Sequence, residues 1–389
     1  MPVKVAHICA VPSSLKFLLS DQMRYLEEQG YEIHAISSPG PYQDDIIEQL
    51  DGRWYPARIS RSISPLDDLR GVWDVARVCA RERFDIVHTH TPKGTLLGQL
   101  GAHLGRVPIV IQTLHGFYFI ALEEGSLSRR LVHALETFTC RATSELVLSQ
   151  NAEDVARLLR EGVCGPDKAQ VLGNGIDISR FKPRDFDDDE LRRRREAVGL
   201  KPDGPVLGIV GRYVLGKGYR ELCEAVQLLA PRYPTLQVLA IGARPTSERP
   251  EEVFLPDQDP IAGERFVCLY DRQDMEELYR LMDLFVLPSW REGMPRSSME
   301  ASATGLAVVT TDVRGCRETV THDDNGLLVE VRNSRLLAEA IAALLDDPER
   351  REAMGRRGLQ RARDEFDQQV VFRRVADSYA ALLKRHVRA

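Results

Sequence analysis

The sequence predicts an α/β protein built from two doubly wound parallel sheets. Three observations carry that reading. Short runs rich in Val, Ile and Leu alternate with amphipathic stretches from residue 3 onward. The rhythm breaks once, over residues 173–205, where Gly, Pro and charges of both signs crowd together. The same alternation then restarts and runs nearly to the end.

Val3–Cys9 reads as a first buried strand. Leu15–Gln29 is a helix stopped by Gly30, and Glu32–Ser37 a strand ending at Ser38-Pro39-Gly40. Pro65–Arg83 is a helix, Asp85–His88 a strand, Lys93–Leu104 a helix and Pro108–Gln112 a strand. Helices Ser126–Arg141 and Ala152–Glu161 flank a strand at Glu145–Ser149. Beyond the break, Val206–Val210, Gln237–Ile241, Arg265–Leu269, Leu284–Leu287, Ala307–Thr310 and Leu327–Val329 read as strands. Helices fall at Tyr219–Ala230, Met275–Met282, Ser297–Ala303 and over most of 334–363, with a last amphipathic one at about Val370–Arg385. The expected domains are 1–183 and 184–369. Ligands of such sheets bind beyond the carboxyl ends of the strands, so the two domains are expected to face a central cleft.

A chain of 389 residues is long enough for two domains with sizeable cores. Its 43% hydrophobic and 28% charged residues argue against wholesale disorder. The 52 Lys and Arg against 58 Asp and Glu leave a net charge of −6, which disfavours a dedicated nucleic-acid binder. The seven cysteines are scattered without a C-x-x-C pair, as expected of reduced thiols in a cytoplasmic protein and not of a disulfide framework or zinc site. No apolar run approaches the ~20 residues of a membrane span. The start, MPVKVAHICAV, reads as a strand and not a signal peptide. Secreted binding proteins and integral membrane proteins are thereby disfavoured.

The densest chemical cluster is Pro288-Ser289-Trp290-Arg291-Glu292-Gly293-Met294-Pro295, which follows the apolar strand LFVL and runs into a helix carrying Glu300. Backbone N–H groups at such a helix start suit a phosphate or sugar oxygen, and carboxylates suit sugar or ribose hydroxyls. The alternative is a dipole-stabilising acidic residue beside a surface Glu. A second cluster, Gly211-Arg212-Tyr213-Val214-Leu215-Gly216-Lys217-Gly218, follows the first strand of the second half. Its glycines and two cations suit a diphosphate. Neither a Walker A motif nor a strict G-x-G-x-x-G is present. The alternative is a glycine turn with solvated cations.

Together GR-x₄-KG and E-G-M-P-x₄-E-A resemble the retaining nucleotide-sugar glycosyltransferases of family 4, which have the GT-B fold of two Rossmann-like domains. The likeness extends through Gln112-Thr113-Leu114-His115-Gly116, Gly173-Asn174-Gly175-Ile176-Asp177 with Phe181, Arg314-Gly315-Cys316-Arg317-Glu318 and Asn325-Gly326-Leu327-Leu328-Val329. EGMPRS, RGCRE and HTHTPKG are similar to the branch that builds bacterial exopolysaccharide, capsule and lipid-linked glycans. The resemblance implies that Arg212 and Lys217 hold the donor diphosphate, Glu300 the ribose hydroxyls and Glu292 those of the transferred sugar. It implies backbone contacts at Gly211, Gly293 and Met294, base contact near Leu269, and His115 near the reacting centre. It also implies that a C-terminal helix at about 370–389 crosses back onto the first domain. Two departures stand out. Cys268-Leu269-Tyr270-Asp271 replaces the family's usual F-x-G, and Cys9-Ala10-Val11-Pro12-Ser13-Ser14-Leu15-Lys16 lacks a Gly-Gly loop, with Ser13 and Ser14 the expected replacement.

The implied reaction moves a sugar from a nucleoside diphosphate, UDP in the first instance and GDP as the alternative, to a glycan or polyprenyl-diphosphate-linked acceptor. No cofactor or metal is expected, and peripheral contact with the inner face of the plasma membrane is left open. His88 and His90 alternate on one face of a strand, but no third ligand follows at a recognisable spacing. Thr91-Pro92-Lys93-Gly94 opens a helix that could take an acceptor phosphate, or is a plain cap. Asp187-Asp188-Asp189 and Asp257-Gln258-Asp259 lie in polar loops and not after buried strands, so a D-x-D metal site is disfavoured. Arg192–Arg195 read as a solvated helix beside Asp187–Glu190, and Trp54 and Trp73 as core. A sugar-nucleotide epimerase of the same fold and a non-catalytic sugar-binding protein are the competing readings.

Overall fold

The computed structural model describes residues 2–59, 64–115, 126–243, 250–260 and 262–388. Thirteen strands are present among them: β1 Val3–Ile8, β2 Tyr31–Ser37, β3 Trp54–Pro56, β4 Ile86–His90, β5 Ile109–Leu114, β6 Leu146–Ser149, β7 Ala169–Val171, β8 Val206–Val210, β9 Gln237–Gly242, β10 Phe266–Tyr270, β11 Leu284–Leu287, β12 Val308–Thr311 and β13 Gly326–Val329. They form two sheets of order β3-β2-β1-β4-β5-β6-β7 and β10-β9-β8-β11-β12-β13. Every pairing is parallel. Both orders reverse at the first strand, β1 beside β4 and β8 beside β11, which is the doubly wound arrangement.

Alternation along each strand sends side chains to two separate cores. In the first sheet Val5, Ile33, Ile86 and Ile111 enter one layer, and Ala6, Ile36, Val87 and Val110 the other. In the second, Leu207, Val238 and Leu284 lie on one face and Val206, Leu239 and Phe285 on the other. Strands buried on both faces must be apolar throughout, which is why they read as continuous Val/Ile/Leu runs.

The chain divides into two compact units, Met1–Gly173 with Val371–Ala389, and Asn174–Val370. The boundary thus falls ten residues before the expected 183/184. The reason is local. Ile176 N–H donates to Phe366 O at 2.9 Å, Gln368 N–H donates to Ile176 O at 3.0 Å, and Phe181 packs edge-on against Tyr279 at 5.7 Å. The Gly- and Pro-rich stretch therefore opens the second unit. The last helix, Gln368–Arg388, buries Phe372, Val375, Tyr379 and Leu382 in the first unit's core.

Other expectations need correction. Trp73 is 55% exposed on the helix Pro65–Glu82, with Arg77 over its ring. Trp54 is half-buried and donates Nε1–H to Ser37 Oγ at 3.0 Å. Arg195 is buried, not solvated: its guanidinium donates to Leu281 O and meets Asp283 Oδ2 at 2.8 Å. Gly116 lies outside the described residues.

Candidate active site

The second unit gathers most of the implied residues on two loops at its sheet's reversal point. Gly211 directly follows β8. Its carbonyl accepts from Tyr219 OH at 2.8 Å, and a Cβ on Gly242, the last residue of β9, would lie 2.0 Å from that same oxygen. Arg212 comes next, exposed. A single 3₁₀ turn, Leu215–Lys217, ends at Gly218, whose φ is +78°. A Cβ there would meet Pro288 O at 2.1 Å, so only glycine lets this loop touch the loop after β11. Trp290 N–H donates to Gly216 O at 2.9 Å and joins the two loops again.

The cross-link that matters most is ionic. Lys217 Nζ lies 2.5 Å from Glu292 Oε1, with side chains 20% and 10% exposed. Around it the loop is held from several sides. Asn174 Nδ2 donates to Met294 O at 3.0 Å. Gly315, in the turn Arg314–Arg317, packs so closely that a Cβ would fall 2.5 Å from the carbonyl oxygens of both Glu292 and Gly293. Trp290 Nε1–H donates to Glu221 Oε1 at 2.8 Å, and Arg332 sits 4.0 Å above the Trp290 ring. Burial and the Glu292 charge push the Cys316 thiol up to about 12, so it stays protonated. Pro295 caps the helix Arg296–Ala303 in extended conformation, one residue before its first turn.

Glu300 stands in that helix, half-buried, and accepts from Tyr279 OH at 2.9 Å. Burial raises its carboxyl above the ordinary value, and Arg296, the Tyr279 hydroxyl and Arg180 pull it back. The carboxylate thus keeps cations nearby while desolvated, which strengthens any hydrogen bond it accepts. Leu269 lies half-buried on β10, and its carbonyl is 3.1 Å from Tyr213 OH. The structure therefore joins Gly211, Lys217, Glu292, Gly293 and Met294 through the two linked loops. Glu300 and Leu269 hang on separate hydrogen bonds to Tyr279 and Tyr213; Tyr213 lies inside the glycine-loop motif, which gives it no role of its own, and Tyr279 carries no sequence signal.

The first unit has its own reversal point, with a different chemistry. His7 of β1 is in register with His88 of β4, and both share a face with His90 and with His115, just past β5. His7 Nδ1 and His90 Nε2 are 3.1 Å apart, and His90 Nδ1 and His115 Nε2 3.3 Å apart. His88 bonds Tyr379 OH and Thr113 Oγ1, each at 2.7 Å. Burial lowers His7 to about 3 and His115 to about 4, and carries His88 and His90 well below 6.5. The layer is neutral near pH 7. The third imidazole that spacing could not supply to His88 and His90 is His7, eighty-odd residues earlier: ligand-capable atoms of the three lie within 4.8 Å of one another.

Nearby, Thr91 takes φ +65°, a strained value for a β-branched residue, and accepts from Ala10 N–H at 3.2 Å. Lys93 is ion-paired with Asp68 at the start of the helix Pro92–Leu104. Ser13 and Ser14 lie in a one-turn helix, Pro12–Ser14, with no side-chain cap. Asp187 caps the helix Asp188–Ala197, and Asp257 accepts from Tyr270 OH at 2.7 Å.

Comparison with known proteins gives the family. Residues 192–361 match the family model "Glycosyl transferases group 1", and residues 19–175 match "Glycosyl transferase 4-like domain". The chain belongs to the family 4 glycosyltransferases of GT-B fold and is a glycosyltransferase. It is 28% identical to the Escherichia coli UDP-Gal:alpha-D-GlcNAc-diphosphoundecaprenol alpha-1,3-galactosyltransferase, covering 89% of this chain and 88% of that one. It is 26% identical to the capsular polysaccharide biosynthesis glycosyltransferase CapM of Staphylococcus aureus, covering 98% of each. Identity is 30% to a D-inositol 3-phosphate glycosyltransferase of Corynebacterium efficiens, covering 72% of this chain and 68% of that one. Among solved structures it resembles the sucrose-phosphate synthase of Thermosynechococcus elongatus in fold, with a TM-score of 0.81, 18% identity and coverage of 98% and 100%.

Proposed function

We propose that this glycosyltransferase moves a sugar from a UDP-sugar, with retention at the anomeric carbon, to a polyprenyl-diphosphate-linked glycan in bacterial surface polysaccharide assembly. The observation that carries the reading is the Lys217–Glu292 pair, which sets a cation and a sugar-binding carboxylate side by side on linked glycine loops. The name of the E. coli relative supports the acceptor class, and that of the S. aureus relative supports the surface-polysaccharide setting. Arg212 and Lys217 take up the charge of the leaving diphosphate, so the transfer needs no metal or other cofactor. Glu300 accepts from the ribose hydroxyls and Glu292 from the transferred sugar. The backbones of Gly211, Gly293 and Met294 approach sugar and phosphate, and Leu269 flanks the base. His115 serves the reacting sugar or acceptor as a neutral hydrogen-bonding group. In the transfer the bond from C1 to the phosphate oxygen breaks, the acceptor oxygen bonds C1 on the same face, and the acceptor proton goes to the departing diphosphate.

The second unit accordingly takes the donor and the first serves the acceptor. A lipid-linked acceptor places the enzyme at the inner face of the plasma membrane as a peripheral protein. The helix Leu127–Phe138 favours this, because Leu127, Leu131 and Leu135 are exposed along it beside the exposed Arg130. Among the described residues no helix is long and apolar enough to cross a membrane. The test is product analysis with a panel of UDP- and GDP-sugars and a polyprenyl-diphosphate-linked sugar. An α-linked product from an α-linked UDP-sugar supports the proposal. Inverted product, or conversion of the donor without acceptor, rejects it, the latter in favour of an epimerase.

A further inference from the structure

A neutral imidazole carries one N–H and one lone pair, so a chain of imidazoles must run in a single sense. His7, His90 and His115 form such a chain through the 3.1 Å and 3.3 Å contacts. Its inner end is His7 Nε2, buried and without a hydrogen-bond partner among the described residues. In one sense that end is a bare lone pair. In the other it is an N–H with no acceptor, the rarer and costlier orphan in protein interiors. The first sense makes His7 Nδ1–H donate to His90 Nε2 and His90 Nδ1–H donate to His115 Nε2. The proton left to His115 is then on Nδ1, and the Gln150 side chain hydrogen-bonds this ring. His7 and His90 stack with centroids 5.3 Å apart and planes 21° apart, and His88 braces His90 at 4.3 Å. The groups acting electrostatically on His88 and His90 are the other histidines of the layer.

We propose that His90 and His7 are positioning residues that fix His115 as its Nδ1–H tautomer, so that its one N–H lies on the side of the ring away from His90, at the carboxyl end of β5. The consequence for turnover rests on the role given to His115 above; the tautomer itself does not. The same three imidazoles His7, His88 and His90 could suggest a metal site. Both His88 nitrogens are already bonded at 2.7 Å, however, and the cluster brings no carboxylate to offset a divalent charge.

The test is long-range ¹H–¹⁵N correlation on histidine-labelled full-length protein near pH 7, with metal analysis of the same sample. The expected result is a single Nδ1–H tautomer at His115, shifted toward Nε2–H in His90→Leu and restored in His90→Gln, whose amide can donate to Nε2. Turnover in His90→Leu should fall on the order of tenfold with donor KM within about twofold, and recover in His90→Gln. Should His90→Leu not fold, His7→Phe releases the same chain from its inner end and must also produce mixed tautomers at His115. An Nε2–H tautomer in the parent, a His115 tautomer unchanged in either folded variant, or a stoichiometric transition metal overturns the proposal. Full activity of His115→Asn would instead refute the role of His115 and leave the tautomer result standing.

Discussion

Replacing Lys217 by Met tests the donor loops most directly. The ion pair it removes spans 2.5 Å between side chains 20% and 10% exposed. That shielding lies between the exposed pairs worth about 0–1 kcal/mol and the buried ones whose rupture costs about 3–5 kcal/mol. A loss of about 1–3 kcal/mol follows, which lowers the melting temperature by about 2–12 °C in a unit of roughly 200 residues. Turnover should suffer far more, because losing one cation from the developing diphosphate charge costs about 2.7–4 kcal/mol, or roughly 10²–10³ in kcat. UDP affinity should fall about tenfold, equivalent to about 1.4 kcal/mol. Glu292→Gln should behave differently. It releases Lys217 from its carboxylate, so UDP should bind as well as before or better, while turnover falls because the sugar has lost a charged acceptor. Calorimetric titration with UDP and initial rates read by mass spectrometry separate the two variants. Equal UDP affinity in Lys217→Met and the parent would refute the assignment of Lys217 to the diphosphate.

Three further outcomes are expected. Because burial holds His7 at about 3 and His115 at about 4, the unfolded chain binds their protons near pH 6.5 before the folded one does. Their contribution to stability is complete above that pH and falls by up to about 1.4 kcal/mol per pH unit for each group as pH drops toward 4. Urea midpoints should decline from pH 7 to 5, less steeply in His7→Phe, and equal slopes in the two proteins would contradict this. Gly218→Ala must push a methyl onto Pro288 O at φ +78° and should cost more than about 2 kcal/mol, whereas Gly216→Ala meets nothing within 4 Å and should stay within about 0.5 kcal/mol. Matching urea midpoints for the two would show that the glycine contact does not hold the loops together. Liposomes containing anionic lipid should sediment the protein, and Leu131→Glu should weaken that binding; retention equal to the parent removes the helix Leu127–Phe138 as the docking element.

The long strands were legible because burial on both faces writes an unbroken apolar run: β8 and β11 fall where the pattern puts them. β3 and β7 were not, since each has three residues at a sheet edge, and β3 has none buried. Their positions are set by pairing with β2 and β6, which no local pattern records. The site was legible to the same extent. Glu292, Glu300 and Lys217 stand in dense motifs, but Tyr279 reaches Glu300, Asn174 reaches Met294 and His7 reaches His90 only because segments apart in the chain become neighbours in the fold. Arg195 shows the converse error. A run of four arginines looks solvated, yet one residue per turn points inward and finds Asp283 and the Leu281 carbonyl.

The two sheets share one strand order, apart from the extra edge strand β7, and differ in electrostatics at the point where that order reverses. In the second unit the loops after β8 and β11 bring Lys217 and glycine backbone together with Glu292, the exposed Arg212 stands on the first of these loops, and a desolvated Glu300 stands on the helix that follows the second. In the first, among the described residues, β1, β4 and β5 bring neutral imidazoles and Thr113 to one face, and the last helix adds the Tyr379 hydroxyl, held well above its usual range by burial. A charged diphosphate finds counter-charge in the second arrangement and none in the histidine layer. Deep burial also makes the histidines poor proton acceptors near pH 7, so a general base drawn from them would work against a large desolvation cost. The diphosphate oxygen, ionised and already beside Lys217 in the proposed site, is the better sink for the acceptor proton. Under the proposed function, that difference leaves His115 the task that a neutral ring of fixed tautomer performs well, directing a hydrogen bond without changing charge.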